Sequence, residues 1–553
     1  MAPIVHEMAD DERHLADWSK CPDIEARVPA LLDYCREHFA DDELLIFDDQ
    51  RITYGELEAQ SAVFARRLLA SGVGKATRVG IILPNSPQFL ITWFAITRIG
   101  AVAVPISTVS TPAEIHRTAR HADLALLVSA TDFADHNYVE RLEASFPNLT
   151  ESRAPYRFVD VPFLRDIWLW ADQIPTWAHR IDLSDSPDVD ADLLAGTESE
   201  VRPADPVSII YTSGSTSDPK GVIHTQGSML RQGTKIAATY PFSRGDRVFT
   251  PMPLFWVGGF TLNLLNVMNI GATMVCATDT SPSHLLDLIE RERITYFVAW
   301  PHTARALTAH PSFATRDLSS LRGGLLYEVA AGIRRPGAST WGEALGMTET
   351  GGPHTISVFE IDPELPNTFG TPMPGMQLRI VDPHTGADLP DGETGVLFVR
   401  GDSLMQGLVK REREEVFEPD GWYRTGDLGS FRGNHLYFHG RADDLIKTAG
   451  ANVSPGEVQA VLRAMPGVGD AHVTGLPDPE RGAVVGAVVV PQPGHALDPD
   501  QIRGAAREQL SGYKVPRVIL VMEAADLPMM SSGKVDRRTI VAKLHEAYSH
   551  ARS

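Results

Sequence analysis

The sequence predicts an α/β protein with a large N-terminal domain of layered sheets, a small β subdomain within it, and a small α+β C-terminal domain. Three observations carry this expectation. Apolar strand-like runs alternate with helical patterns from Thr53 to Ile106, a turn-rich block of short strands fills residues 366–402, and mixed α/β patterning returns after Arg441.

In order along the chain, residues 53–72 (TYGELEAQSAVFARRLLASG) place apolar side chains at helical spacing and end at Gly72, a suitable C-cap. The apolar run Val79–Leu83 stops at Pro84 and Asn85, a second helical pattern covers 87–99, and Gly100 leads into a further apolar run, Ala101–Ile106. Residues 181–206 are acidic and lack a sustained period, so they are expected to form a surface connection. They lead into Val207–Tyr211, a strand that feeds directly into a Ser/Thr/Gly loop. Between 366 and 402, Pro-Gly, Thr-Gly and Asp-Gly turns separate short alternating strands. A helix is expected at 455–464 and a strand at 483–490. The domain boundary is placed at Gly440–Asp444, giving domains 1–440 (the β subdomain at 366–438) and 441–553. No repeat of fixed period is present.

A chain of 553 residues is too long for one ordinary core, and its 43% hydrophobic and 22% charged content suits a soluble globular protein. The formal net charge of −21 comes from 50 basic and 71 acidic residues, a surface that repels nucleic acid and anionic lipid. It does not exclude phosphorylated ligands, which are gripped by local amides and a few cations. Cys21, Cys35 and Cys276 show no CxxC spacing, and read as ordinary thiols of a reducing compartment. The acidic N-terminus is not a secretory signal, and the most apolar segment, Phe89–Ile99, is too short to span a bilayer. A cytoplasmic protein without a membrane or nucleic-acid partner is expected.

The strongest local feature is YTSGSTSDPKGV, residues 211–222. A strand enters a loop of small residues whose backbone amides, around Gly214, can converge on phosphate oxygens. The hydroxyls of Thr212, Ser213, Ser215 and Thr216 add donors, and Lys220 adds positive charge. It is not a Walker A loop, because no glycine precedes Lys220 and Gly221 follows it. The alternative reading is a polar turn.

Four further segments follow in order: LGMTETGG (345–352), GWYRTGDLG (421–429), GRADDLIKTAGANVSPGEV (440–458) and PMMSSGKVDRR (528–538). Together with the loop they resemble the adenylate-forming superfamily of acyl-CoA synthetases, luciferases and peptide-synthetase adenylation domains, from about Thr53 to Arg538. The resemblance implies a barrel-like β subdomain and a mobile C-terminal domain. It also implies an acid–thiol ligase chemistry: a carboxylate attacks ATP to give an acyl-adenylate and pyrophosphate, and a thiol, usually that of CoA, then displaces AMP. It places Gly346, Met347, Thr348 and Glu349 at the phosphates, with Thr216 and Glu349 at Mg²⁺. Asp427 would accept hydrogen bonds from the ribose, with Arg441 close by. Lys534, by itself an ordinary surface lysine, resembles the family's mobile lysine that bridges carboxylate and α-phosphate, and Asp443 matches its hinge. Gly450 would leave room for the pantetheine arm, or is simply a turn glycine.

The departures from the family cluster around adenine and acyl group. Residues 321–344 contain no Gly-Gly-Ala-Pro-like turn that aligns cleanly. Leu345 stands where a tyrosine commonly stacks on adenine, a loss of about 1–3 kcal/mol by analogy with base–aromatic stacking. Ser217 replaces a usual loop glycine. Trp256 stands where many acyl-CoA synthetases have histidine, and is either core or the cap of an acyl pocket. That pocket is expected from Trp256, Val257, Gly258, Gly259 and Trp300, with the glycines leaving space for a bulky apolar or aromatic acid. The expected activity is an acyl-CoA ligase that forms the thioester through an acyl-adenylate with ATP, Mg²⁺ and CoA; a sharper hypothesis is that ATP-dependent adenylation is weak or lost, so that a preformed acyl-adenylate, supplied by a separate adenylating enzyme, is the real substrate. The alternatives are an enzyme loading a carrier protein and an inactive ligand-binding homologue.

Overall fold

The computed structural model describes residues 4–8, 16–184, 189–212, 220–326, 343–357, 365–442, 446–448, 451–453, 455–479, 481–510, 512–530 and 535–552. Local signals explain the first elements. Thr53 and Glu56 cap the helix Tyr54–Ala70 reciprocally: Thr53 N donates to Glu56 Oε2 at 2.8 Å and Glu56 N to Thr53 Oγ1 at 3.1 Å. Past its end, Gly72 takes φ +86°, the left-handed conformation that the C-cap reading required. Ser86 caps the helix Pro87–Arg98, every residue of which except Gln88 is buried.

Two large sheets form the N-terminal layers. One has eight strands in the order Gly407–Leu408, Lys220–Thr225, Pro206–Thr212, Val102–Pro105, Arg78–Ile82, Leu126–Ala130, Asp166–Trp170 and His179–Arg180. Its central strands are parallel, and the Lys220–Thr225 strand runs antiparallel to both neighbours. The other has six strands, in the order Gly323–Gly324, Tyr296–Phe297, Arg247–Phe249, Thr273–Cys276, Glu43–Phe47 and Gln50–Thr53. The helices Tyr54–Ala70 and Pro87–Arg98 pack on each other, burying Phe64, Trp93 and Phe94 in the main core.

Residues 181–206 depart from the expected plain connection. Ala191–Ser199 is a helix, capped by Asp190, whose side chain accepts from Leu193 N at 2.8 Å. Its only buried residue is Leu194, so there is no apolar stripe for a period to reveal. The helix is held instead by Glu198, which accepts from the buried Arg98; Arg98 also bonds Glu58 Oε1 at 3.0 Å.

The turn-rich block builds a four-stranded antiparallel sheet, Met376–Val381, Gly395–Gly401, Tyr423–Arg432 and His435–Arg441. His6 bridges onto Leu378 and stacks on Phe431 at 3.7 Å, so the N-terminal segment docks on this subdomain. The C-terminal region has its own sheet, with Gly482–Pro491 between Val468–Asp478 and Val518–Val521, and its own core around Val458, Leu462, Val485 and Ala506. Among the described residues no helix is long and apolar enough to cross a membrane.

Candidate active site

The strand Pro206–Thr212 and the strand Lys220–Thr225 are antiparallel, with Thr212 directly opposite Lys220. The two ends of the phosphate-loop sequence are thus held across one ladder. Ser213, Gly214, Ser215, Thr216 and Ser217 lie outside the described residues.

The Thr-Glu motif is a tight 3₁₀ turn, Thr348–Thr350, between the paired strands Ala344–Met347 and Gly352–Ile356. Gly346 has to be glycine: a Cβ there would stand 2.4 Å from the Gly352 carbonyl oxygen. Four contacts fix the turn. His224, on the strand leaving the loop, places Nε2 2.7 Å from the Thr348 carbonyl. Burial pushes this imidazole down to about 4, so it stays neutral and donates. The Glu349 carbonyl accepts from Met405 N at 2.8 Å, and Gln406 N reaches back to Ile223 O at 2.8 Å, locking the turn to the eight-stranded sheet. The Glu349 carboxylate accepts from the Tyr423 hydroxyl at 3.0 Å, with both residues 7% exposed. Burial, and then the Glu349 charge, hold the Tyr423 hydroxyl well above its ordinary range, so it remains a donor.

Asp427 lies four residues after Tyr423 on the same strand, directly opposite Arg441, whose Nη1 is 2.9 Å from Asp427 Oδ1. Burial pushes the Asp427 carboxyl up and Arg441 offsets it, while the Glu349 charge adds to the rise. Two carboxylates thus share one buried region with a single paired guanidinium. Glu349 offers a hard oxygen donor suited to Mg²⁺. Among the described residues no group of three His, Cys, Asp or Glu forms a preformed cage, so the ion would be completed by substrate phosphates.

At the expected acyl pocket, Trp256 is half-buried, edge-on to Phe255 at 5.2 Å, and precedes the short helical turn Val257–Gly259. The two glycines differ. A Cβ on Gly258 would meet only the Met252 sulfur, at 3.3 Å, so that position opens space. A Cβ on Gly259 would lie 2.1 Å from the Pro253 carbonyl oxygen, so close backbone packing by itself requires glycine at that position. Trp300 is half-buried ahead of the helix Pro301–Ala309. Asp443, Gly450 and Lys534 lie outside the described residues. Val535 and Arg537 border a cleft of about 1400 Å³ that Ile356, Arg441 and Arg463 also line.

The sequence reading missed His224 and Tyr423. Tyr423 sits inside GWYRTGDLG, four residues before Asp427, and its contact with Glu349 spans 74 positions, so no local pattern could reveal it.

Residues 32–409 match the family described as AMP-binding enzyme, and residues 457–534 match the AMP-binding enzyme C-terminal domain. The 3-[(3aS,4S,7aS)-7a-methyl-1,5-dioxo-octahydro-1H-inden-4-yl]propanoyl:CoA ligase of Mycobacterium tuberculosis is 32% identical, covering 92% of this chain and 97% of its own. The feruloyl-CoA synthase of an Amycolatopsis species is 30% identical, over 88% and 92%. Among solved structures, ATP-bound MatB from Rhodopseudomonas palustris shares the fold with a TM-score of 0.75 at 23% identity, covering 95% of this chain and 100% of that one. With the family matched over residues 32–409, and a relative 32% identical along nearly the whole of both chains, the chain belongs to the AMP-binding enzymes.

Proposed function

We propose that this enzyme is an acyl-CoA ligase: it takes a bulky ring-bearing carboxylic acid through an acyl-adenylate to a CoA thioester. The observation that carries the reading is the Glu349 carboxylate, fixed by Tyr423 at 3.0 Å beside the Asp427–Arg441 pair. A carboxylate held rigid and largely dry near a ribose acceptor suits a nucleotide with its metal. Glu349 and Thr216 would hold Mg²⁺, which neutralises developing phosphate charge when bound. Asp427 would receive the ribose hydroxyls, and Thr212, Lys220 and the loop between them the phosphates. The relatives named for a bicyclic dioxo-acid and for ferulate support a ring-bearing acid, and Gly258 leaves room for one.

Lys534 is assigned to the adenylation half-reaction, where its ammonium would bridge carboxylate and α-phosphate. Asp443 would be the hinge about which residues 441–553 rotate, and Gly450 would line the pantetheine path for the thiol that attacks the acyl carbon and releases AMP.

A second reading rests on Leu345. It is half-buried against the main core, opposite Thr355, and gives an aliphatic contact where adenine would gain from an aromatic face. This favours weakened adenylation from ATP, with a supplied acyl-adenylate as the better substrate. A paired assay separates the readings: candidate acids with ATP, Mg²⁺ and CoA, against synthetic acyl-adenylates with CoA. Efficient turnover from ATP sinks the weakened-adenylation reading, and turnover from neither favours an inactive homologue. Transfer to a carrier protein's phosphopantetheine in preference to CoA would mark a loading enzyme. Lys534→Ala should abolish the ATP route and spare the adenylate route. Gly450→Leu should spare adenylate binding and slow the thiol step, and unchanged CoA kinetics would refute its placement.

A further inference from the structure

The helix Gln226–Thr239 presents two faces. Gln232 turns to the Thr-Glu side, where its Nε2 donates to the Pro353 carbonyl at 2.6 Å. Leu230 with Thr234, and Arg231 with Lys235, form two neighbouring i, i+4 rows that face elsewhere. Residues 17–27 lie along these rows. Asp17 N donates to the Ala238 carbonyl at 2.8 Å, the Lys20 ammonium to the Tyr240 carbonyl, and the Cys21 thiol to the Thr234 carbonyl at 3.5 Å. Segment and helix do not close fully on each other: a cavity of about 220 Å³ remains between them.

Its wall is apolar, from Ile24, Leu31 and Leu230, and Trp18, 45% exposed, borders it with a ring free to cover an occupant. Most polar groups of the lining are already engaged. Thr234 Oγ1 bonds Asn269 Oδ1 at 3.0 Å, and Lys235 is held by the Asp402 carboxylate and by Ser403 Oγ at 2.9 Å. Arg231 is the exception. Its Nε has no hydrogen-bond partner and stands 3.7 Å from Asp402 Oδ2. Its one hydrogen bond among the described residues runs from Nη2 to the Asp402 carbonyl, at a long 3.5 Å. Two cations and one carboxylate line the cavity, so a second carboxylate is the occupant that balances them. The guanidinium offers it paired donors in one plane, and the apolar wall takes the rest of the acid. Inorganic phosphate would leave that wall uncovered, and an amine would meet Arg231 with like charge.

The polar end of this cavity is also the anchor of a tether to the Thr-Glu turn. Asp402, fixed by Lys235, opens a short segment in which Met405 N donates to the Glu349 carbonyl at 2.8 Å and Gln406 N to the Ile223 carbonyl at 2.8 Å. An occupant paired with Arg231 stands beside Asp402 and so beside the root of that tether. We infer that the cavity is a second binding site, for a compact monocarboxylate with a ring or short alkyl body, and that the bound acid stiffens the segment holding Glu349. The inference goes beyond the ligase reading and does not depend on it.

Calorimetry on the full chain without nucleotide tests it, with phenylacetate and cyclohexylacetate as probes. At least one should bind with a Kd of about 0.1–1 mM. Phenylacetamide, phenethylamine and inorganic phosphate should each bind about tenfold or more weakly than that probe. Arg231→Met should weaken the carboxylate about tenfold or more, and Ile24→Trp, which fills the cavity from its partly buried wall, should abolish binding, both with an unchanged urea midpoint. Saturating carboxylate should slow hydrogen exchange at the Met405 and Gln406 amides about threefold or more, and should not do so in Arg231→Met. No binding of either carboxylate, equal binding of phenylacetamide, or affinity that survives both substitutions overturns the site; in the last case the acid sits elsewhere. Binding that passes these tests with unchanged exchange at Met405 refutes the link to Glu349.

Discussion

The Tyr423–Glu349 contact makes the sharpest energetic claim about this site. The bond is 3.0 Å long and both residues are 7% exposed, so water cannot substitute for a lost hydroxyl. A hydrogen bond to a charged group is worth about 1.5–3 kcal/mol, and exclusion of water puts Tyr423→Phe at the upper end, about 2–3 kcal/mol. In a Glu349→Gln background the acceptor is neutral and the same change should cost about 1 kcal/mol. A double-mutant cycle in urea should therefore give a coupling of about 1–2 kcal/mol. A functional difference should accompany it. Because the hydroxyl orients the carboxylate, Tyr423→Phe should slow acid-dependent pyrophosphate exchange more than it slows thioester formation from supplied adenylate. An equal cost of Tyr423→Phe in both backgrounds, or equal slowing of the two half-reactions, would show that the tyrosine is only a packing residue.

Two further outcomes follow from buried charge and buried imidazole. His224 and His354 are pushed down by burial to about 4 and about 3 from the ordinary 6.5, so both are neutral in the folded protein. The unfolded chain takes up their protons first; stability is full above about pH 6.5 and is lost as pH falls toward 4, by about 3 kcal/mol for His224 alone. Tryptophan fluorescence against pH at fixed urea should show this loss, and His354→Leu should move the acid transition to lower pH. Arg98→Met strands Glu58 and Glu198 against a buried site and should cost about 3–5 kcal/mol. It should also free the helix Ala191–Ser199 for cleavage by a glutamate-specific protease under native conditions, and resistance equal to the unaltered protein would show that Leu194 and the backbone contacts of Arg27 and Lys75 suffice to hold it.

What could be read from the chain divides by the range of the interaction. The helices Tyr54–Ala70 and Pro87–Arg98 were legible because their caps lie within three residues of the positions they satisfy. Thr348, Glu349, Asp427 and Arg441 were legible because the motifs containing them are short and fixed in order, and the fold sets the last two opposite each other on neighbouring strands. The helix Ala191–Ser199 was missed because an ion pair with Arg98, about a hundred positions away, stabilises it in place of a hydrophobic stripe. The packing requirement at Gly259 was not legible, because a glycine that makes room for a ligand and one that makes room for a carbonyl look alike until Pro253 is placed.

The same division explains why the acid was harder to read than the chemistry. Under the proposed function phosphates and ribose would be met by backbone turns and charged groups, which a short motif can specify. The buried polar side chains behind the Thr-Glu turn come from the helix Gln226–Thr239, the π-helical segment Phe260–Leu265 and the strand Gly352–Ile356, three stretches more than a hundred positions apart at their extremes. Taken singly, Gln232, Asn263 and His354 look like ordinary polar residues of amphipathic elements. Only packing turns them inward, where each is at most 1% exposed and keeps an unpartnered nitrogen or oxygen. A core that tolerates this many unmet polar atoms gives up stability that leucines would recover, and the place where it does so adjoins the Thr-Glu turn.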